Sequence, residues 1–144
     1  MITAILDTNV IVQAVISSPP SASARVLDAY FERRFRLVTA PPLLEELADA
    51  LLIPRIRELH GFSDEEIAEL TASLLVHADS YTPTEQVPAD AARDATDVKF
   101  LTLAQVSSAD YLVTNDRRHL IRLGRFGRTS IMTPARFLRE LRNE

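Results

Sequence analysis

The sequence has no cysteine, which excludes disulfide bonds and thiolate metal sites and is typical of cytoplasmic proteins. No apolar run approaches the roughly 18 residues that a membrane-spanning helix needs. No basic segment precedes the first apolar stretch, so we expect neither a membrane span nor a secretory signal. The three glycines, Gly61, Gly124 and Gly127, lie far from the first predicted strand–helix turn, which argues against a dinucleotide-binding loop.

Histidine and lysine are also scarce. His60, His77 and His119 show no metal-ligand spacing, so we expect them to be surface or packing residues. Lys99 is the only lysine, and the other basic side chains are arginines. Residues 1–116 carry 8 basic and 18 acidic side chains, whereas residues 117–144 carry 8 arginines and 2 glutamates. Because arginine suits phosphate contacts, this arginine-rich end is interpreted either as a phosphate-binding surface or as a solvated basic face.

The pattern of apolar residues predicts the fold class. With 144 residues, 47% of them hydrophobic, we expect a single domain over residues 1–144. Nearly continuous apolar runs predict buried strands at 2–6, 35–39, 111–114 and 130–132, with a further short strand at 81–82. Helices are predicted to begin near residues 10, 24, 41, 55, 63, 94 and 133, with a turn-rich loop at 17–23. The alternation favours an α/β protein with a central parallel sheet of four to five strands covered by helices.

Two predicted strands are followed by an aspartate. Asp7 comes directly after the first strand, and Asp116 closes the strand at 111–114 after two polar residues. Ligands of open α/β sheets bind outside the carboxyl ends of the strands, so both aspartates are candidate site residues. The alternative is that Asp7 or Thr8 only caps the helix that follows.

Two further acids lie on helices that can border the same edge. Glu46 lies at the margin of the apolar stripe of the helix that opens at Pro41, and Asp97 falls on the apolar side of the helix predicted from Asp94. The alternative for Glu46 is an ordinary solvated glutamate. For Asp94 it is an N-cap, with Asp97 as its capping partner.

A cluster of these four carboxylates needs compensation. Two unit charges about 4 Å apart repel by roughly 4 kcal/mol at an effective dielectric constant of 20. A divalent cation, or protonation of some members, removes this cost, and all-oxygen ligation favours Mg²⁺ or Mn²⁺ over zinc. Such ions can activate water and stabilise the leaving oxygen in phosphodiester hydrolysis.

Four short motifs occur in a distinctive order: ILDTNV at 5–10, LLEELADAL at 43–51, DATDVKFLTLA at 94–104 and ADYLVTND at 109–116. Together they resemble the PIN domain, and more narrowly the prokaryotic PIN proteins that are toxin components of toxin–antitoxin pairs, including VapC-type ribonucleases. The resemblance implies a three-layer α/β/α fold and an acidic, Mg²⁺- or Mn²⁺-dependent ribonuclease site. It also implies an RNA substrate, an antitoxin partner and a homodimer.

Matching the motifs residue by residue assigns roles by resemblance. Asp7, Glu46, Asp97 and Asp116 correspond to the catalytic and metal-binding acids, and Asp94 to an additional ligand. The residues expected to hold carboxylates or water around them are Thr8, Asn9 and Thr114. Asn115 departs from the small residue often seen before the last aspartate, which affects packing but not ligation. The arginines expected to contact RNA phosphates are Arg117, Arg118 and Arg122, followed by Arg125 and Arg128.

Two other classes compete with this interpretation. A phosphatase or receiver module also places an aspartate after its first strand. Asn9, however, stands where such phosphatases usually have a second aspartate. A receiver module would have a lysine after a late strand, whereas Lys99 lies inside a predicted helix. A non-catalytic PIN fold that binds RNA or protein is the other alternative, and the complete set of acids argues against it. The favoured hypothesis is hydrolysis of single-stranded or loop RNA by metal-activated water.

Overall fold

The computed structural model describes residues 1–17 and 20–144. Its strands are β1 (Thr3–Leu6), β2 (Arg36–Thr39), β3 (Asp79–Ser80), β4 (Tyr111–Val113), β5 (Arg125–Phe126) and β6 (Thr129–Met132). Its α-helices are α1 (Thr8–Ile16), α2 (Ala22–Phe31), α3 (Pro41–Leu52), α4 (Pro54–His60), α5 (Asp64–Leu75), α6 (Val98–Ser107), α7 (Leu120–Leu123) and α8 (Pro134–Arg142). The predicted loop at 17–23 falls partly outside the described residues, and Ser21 within it caps α2.

The strands form one sheet in the order β3–β2–β1–β4–β6–β5. β1 lies between β2 and β4 and is parallel to both, with Ala4 opposite Leu37 on one side and Tyr111 on the other. Only β5 runs antiparallel among the described strands, paired with β6. The predicted parallel sheet is therefore confirmed, but it has six strands rather than the four to five expected, because the antiparallel β5 was not predicted. β3 lies two residues upstream of its predicted position.

Alternate residues of the central strand face two different cores. Ala4 and Leu6 pack into the core that contains Phe35 and Phe137. Ile5 packs on the opposite face, into the core that contains Leu101 of α6. Helices cover both faces of the sheet, as the β-strand period of two requires when both sides are buried. This confirms the predicted three-layer α/β/α architecture.

Of the two helices that border the carboxyl edge, α3 begins as local rules predict. Pro41 and Pro42 occupy the first turn of α3, where proline is favoured, and Leu47 and Leu51 of that helix are buried. The helix predicted from about residue 94 starts differently: a 3-10 turn at Ala95–Asp97 precedes α6. Within the described parts of the chain, no helix is long and apolar enough to cross a membrane.

Candidate active site

Asp7 lies at the carboxyl end of β1 and is the N-cap of α1, so its predicted capping role is confirmed. Its side chain is almost fully buried. Thr114 Oγ1 donates to Asp7 Oδ2 at 2.7 Å, and Asn9 Nδ2 donates to the same oxygen at 3.3 Å. Burial raises the pKa of Asp7, and the charges of Glu46 and Asp116 raise it further. The polar neighbours that hold Asp7 are thus two of those named from the sequence.

A network of hydrogen bonds joins the end of β1 to the turn after β4. Asp116 N donates to Thr114 Oγ1 at 2.9 Å. Asn115 N donates to Asn9 Oδ1 at 3.2 Å, and the side-chain nitrogen of Asn115 donates to Ser23 Oγ at the same distance. Asn115 therefore contributes two bonds to this junction and fixes the strand ends relative to α1 and α2.

Asp116 is both a local cap and a member of the acidic edge. Its Oδ1 accepts from the backbone nitrogens of Arg118 and His119, each at 3.1 Å. Its Oδ2 lies 3.3 Å from His119 Nδ1. One oxygen is thereby committed to the turn, and the other faces the imidazole ring.

Asp97 carries the least satisfied carboxylate of the group. It is 6% exposed, and its Oδ2 has no hydrogen-bond partner among residues 1–17 and 20–144. Burial raises the pKa of Asp97 to about 6, and the charges of Asp7, Asp116 and Asp94 add to the effect. An unpaired buried polar atom costs free energy unless a proton or a cation occupies the position beside it. The side chain of Asp97 accepts no capping bond among the described contacts, and the residue instead ends the 3-10 turn that precedes α6.

Asp94 and His119 complete a group around Asp97. One ligand atom from each of these three residues lies within 4.8 Å of the others. Asp94 also caps the 3-10 turn, since its Oδ1 accepts from Thr96 N at 3.0 Å and from Thr96 Oγ1 at 2.8 Å. Those two bonds lower the pKa of Asp94. Its predicted capping role is confirmed, and the same side chain lies next to the buried acid.

Sequence analysis did not assign His119 to this site. The residue lies three positions after Asp116, and the turn that Asp116 caps brings its ring back towards the acids. The spacing of the three histidines gave no indication of this position, because the neighbours of His119 in space are Asp94 and Asp97, from an earlier part of the chain. The expectation that His119 is a surface or packing residue did not include its position beside Asp94 and Asp97, and a ligand role for its ring is a proposal.

Glu46 reaches the same edge from α3. Its Oε2 accepts from Thr8 Oγ1 at 2.8 Å, and its Oε1 accepts from Lys99 Nζ at 2.6 Å. The Lys99 and Glu46 side chains are 30% and 37% exposed. Glu46 is therefore fixed by two partners rather than freely solvated, and Lys99 of α6 is a second neighbour that sequence analysis missed.

The predicted arginines divide into two groups. Arg117, Arg118 and Arg122 are exposed and follow the acidic turn, on the same edge of the sheet. Arg125 and Arg128 lie beside Asp110 at the amino end of β4, and Arg128 donates to Asp110 at 2.8 Å. The structure therefore separates Arg125 and Arg128 from the acids, because β5 turns back along β6.

A family model for the PIN domain matches residues 3–118. The chain belongs to the PIN-domain family. A search of curated proteins gave no match. PIN domains are generally nucleases. Membership of this family argues against the phosphatase and receiver alternatives. The matched region contains Asp7, Glu46, Asp97 and Asp116 and ends one residue before His119.

The side chains of this PIN domain fit a divalent cation. The unpartnered Oδ2 of Asp97 is the observation that a cation would explain. The neighbouring donors are carboxylate oxygens and one imidazole nitrogen. Carboxylates suit Mg²⁺ and Mn²⁺, and a nitrogen ligand is tolerated better by Mn²⁺ than by Mg²⁺.

Replacing Lys99 with glutamine tests whether its ammonium group opposes a cation near Glu46. The ion pair is partly exposed, so its loss should lower the free energy of unfolding by at most about 1 kcal/mol. With Lys99 gone, the charge of Glu46 is balanced only by added cations. We therefore expect millimolar Mn²⁺ to raise the Tm more in Lys99→Gln than in the unsubstituted protein. Arg57→Gln, which removes the distant ion pair with Asp64, is the matched control. Equal Mn²⁺-induced shifts in all three proteins would contradict this role of Lys99.

Proposed function

We propose that this PIN-domain protein is a divalent-metal-dependent endoribonuclease that hydrolyses phosphodiester bonds of single-stranded or loop RNA. The observation that carries the proposal is the buried Asp97 Oδ2, which lacks a partner among the described residues and lies beside Asp94 and His119. A group with this environment is costly unless it takes up a proton or a cation. Above the raised pKa of Asp97, about 6, the charged form predominates, and a cation is the remaining way to balance it. Family membership supports the nuclease class.

In this proposal several of the acids together bind Mg²⁺ or Mn²⁺. Asp7, Asp97 and Asp116 are the main ligands, and Asp94 is an additional one. When bound, the ion lowers the pKa of a coordinated water and offsets negative charge on the scissile phosphate. Thr114 and Asn9 keep the Asp7 carboxylate in one orientation through their hydrogen bonds. A fixed carboxylate loses little conformational freedom when the ion arrives.

Glu46 is proposed as a ligand or as the group that orients the attacking water. Thr8 holds one of its oxygens and Lys99 the other. A carboxylate fixed in this way can accept a hydrogen bond from water in a defined direction, as a general base requires. Lys99 places a positive charge at the same edge, where it can also face an RNA phosphate.

The arginines that follow the acids are proposed to contact the RNA backbone. Arg117 and Arg118 directly follow Asp116, and Arg122 lies on α7. Contacts of this kind give affinity without sequence preference and weaken as salt concentration rises. Arg125 and Arg128 are left out of this surface because they lie beside Asp110 at the opposite edge.

The biological role proposed is that of the toxin in a cytoplasmic toxin–antitoxin pair, with residues 1–144 acting as a single nuclease domain. The resemblance of the motifs to VapC-type ribonucleases supports this role, together with an antitoxin partner and a homodimer. Induced expression should arrest growth, and the Asp7→Asn variant should not. A small DNA-binding protein encoded by the adjacent gene is the expected antitoxin.

Cleavage of a labelled single-stranded RNA tests the activity itself. We expect products with Mg²⁺ or Mn²⁺, none with EDTA, and recovery of cleavage when Mn²⁺ is added back in excess. Double-stranded RNA of the same sequence should be cut much more slowly. Cleavage that persists in EDTA, or none with either ion, would contradict the proposal.

A non-catalytic PIN fold is the second candidate, and the ion pair between Glu46 and Lys99 is the observation that favours it. An ammonium group at this position can balance an acid without any metal. In the described residues, however, neither Asp7 nor Asp97 forms an ion pair with lysine or arginine. Thermal melting with millimolar Mn²⁺ separates the two candidates: a nuclease site predicts a higher Tm, and a metal-free scaffold predicts no change.

A further inference from the structure

A cavity of about 310 Å³ opens beside the acids at Asp97 and His119. One wall is formed by the segment that precedes the 3-10 turn, including Ala92 and Arg93. The other wall is formed by α7, including Arg122 and Leu123. The cavity is thus continuous with the proposed metal site and extends from it towards Ala92, Arg93 and Leu123, to which the proposed function gives no role.

The cavity places two arginines next to apolar atoms. Neither Arg93 nor Arg122 forms an ion pair with any residue that the structure describes. Both are exposed, so their guanidinium groups are available to an anion. Ala92 and Leu123 add apolar surface to the same walls, and Leu123 is 42% exposed. The cavity therefore offers donors for a phosphate and a surface for a flat, largely apolar group.

Arg93 stands out in the sequence as well. It is the only lysine or arginine between Arg57 and Lys99, a stretch that is otherwise acidic. Arg93 lines the same cavity as Asp97 and as Arg122, which comes from a different part of the chain. Two guanidinium groups from separate segments are a common means of binding a single phosphate.

We propose that this cavity binds one nucleotide of the RNA strand, adjacent to the bond that is cut. Arg93 and Arg122 bind its phosphate, and its base lies against Ala92 and Leu123. The inference rests on the proposed ribonuclease function for the identity of the strand. A volume of about 310 Å³ is at the lower end of the range for small-molecule sites, about 300–1,000 Å³, which suits a single nucleotide unit.

The size and charge of the cavity also limit the affinity. Asp90 lines it together with Asp97, so two carboxylates repel the phosphate that the arginines attract. An isolated nucleotide should consequently bind weakly, with a Kd on the order of millimolar. In a longer RNA strand this contact adds to the others and positions the strand across the acids.

The test measures binding without catalysis. Uridine 5′-monophosphate is titrated into the full chain in EDTA and followed by NMR shifts of the backbone amides, for the unsubstituted protein, Arg93→Gln and Arg122→Gln. We expect each substitution to weaken binding by about fivefold, as for other partly solvated charge contacts. Arg139→Gln, which changes an exposed arginine on α8 outside the cavity, should leave the Kd unchanged. The Tm of each variant verifies that it is folded.

Three further ligands identify what the cavity recognises. Uridine should bind more weakly than its monophosphate and should be insensitive to the arginine substitutions. Inorganic phosphate should bind more weakly than the nucleotide, and equal affinity would show a simple anion site and overturn the proposal. Uridine 3′-monophosphate, compared with the 5′ isomer, reports the side of the phosphate from which the base enters the cavity.

Binding to uncleaved RNA in EDTA gives an independent readout. Each lost phosphate contact should reduce the slope of log K against log salt concentration by about 0.7 for a single strand. Equal slopes and equal nucleotide Kd values in Arg93→Gln, Arg122→Gln and Arg139→Gln would overturn the proposal. Because no cleavage is measured, a protein that binds the nucleotide through these arginines but does not cut RNA would refute only the nuclease proposal.

Discussion

The Asp7→Asn variant should lose metal-dependent RNA cleavage by at least about a hundredfold, since even the hydrogen-bond partners of metal ligands contribute tenfold to a hundredfold. Asp7 is proposed as a direct ligand, so the loss should exceed that of its neighbours. Asparagine has nearly the same shape, and its oxygen can still accept the short bond from Thr114 Oγ1, at the cost of the long capping bond from Asn9 N at 3.5 Å. We therefore expect the protein to fold while losing the charge that attracts the cation. Single-turnover cleavage in saturating Mn²⁺ measures the effect.

Asp110→Asn is the matched control for this experiment. Asp110 precedes β4 at the opposite edge of the sheet, where it accepts from Thr3 N at 3.0 Å and pairs with Arg128. The same chemical change at this edge should cost some stability and leave the rate of cleavage within about twofold. Cleavage by Asp7→Asn at a rate close to that of Asp110→Asn would refute the role assigned to Asp7.

The Asp97→Asn variant should be more stable than the unsubstituted protein in the absence of metal. Folding raises the pKa of Asp97 to about 6. A carboxyl whose pKa is higher in the folded state than in the unfolded state favours folding while it is protonated. That contribution is complete below the unfolded pKa of about 3.9 and is lost as the pH rises through the folded pKa. At pH 8 in EDTA, the penalty removed by asparagine is up to about 3 kcal/mol, which corresponds to roughly 10 °C in Tm. Between pH 4 and 6 the Tm of the variant should also depend less on pH.

Mn²⁺ should reverse the order of stability of the Asp97→Asn variant and the unsubstituted protein. Mn²⁺ binds only the folded form of the site, so it should raise the Tm of the unsubstituted protein and have much less effect on Asp97→Asn. Asp79→Asn is the contrasting control, because Arg36 holds the pKa of Asp79 below its usual range. That substitution should destabilise the fold at neutral pH. The assignment of Asp97 would be wrong if its asparagine variant were less stable in EDTA and still responded fully to Mn²⁺.

Much of the fold could be predicted because its signals are local. The buried runs of β1 and β4 are nearly uninterrupted, and the paired prolines of α3 fix the start of that helix. The order of the central strands then follows from the parallel connections. The start of α6 was less predictable: Asp94 satisfies the backbone of a tighter 3-10 turn first, so the regular helix begins only at Val98.

The neighbours of the acids could not be predicted by the same means. Lys99 and Glu46 are 53 residues apart and lie on different helices, so neither periodicity nor spacing links them. His119 and Arg93 join the site through the path of two irregular segments, residues 88–97 and 115–119. Such segments have no repeating pattern from which the direction of a side chain can be read. Asp7, Glu46 and Asp116 could be identified because each follows a strand or lies on a patterned helix face, and Asp97 could be identified because the helix that it immediately precedes is strongly patterned.

The hydroxyl of Thr114 links the carboxyl end of β1 to that of β4. It donates its only proton to Asp7 and receives the Asp116 backbone N–H, so its capacity as a donor is fully used. A displacement of either strand end would break a bond made by the other, and the buried hydroxyl would be left unsatisfied. The fold itself therefore fixes the spacing between Asp7 and Asp116 without help from any bound group.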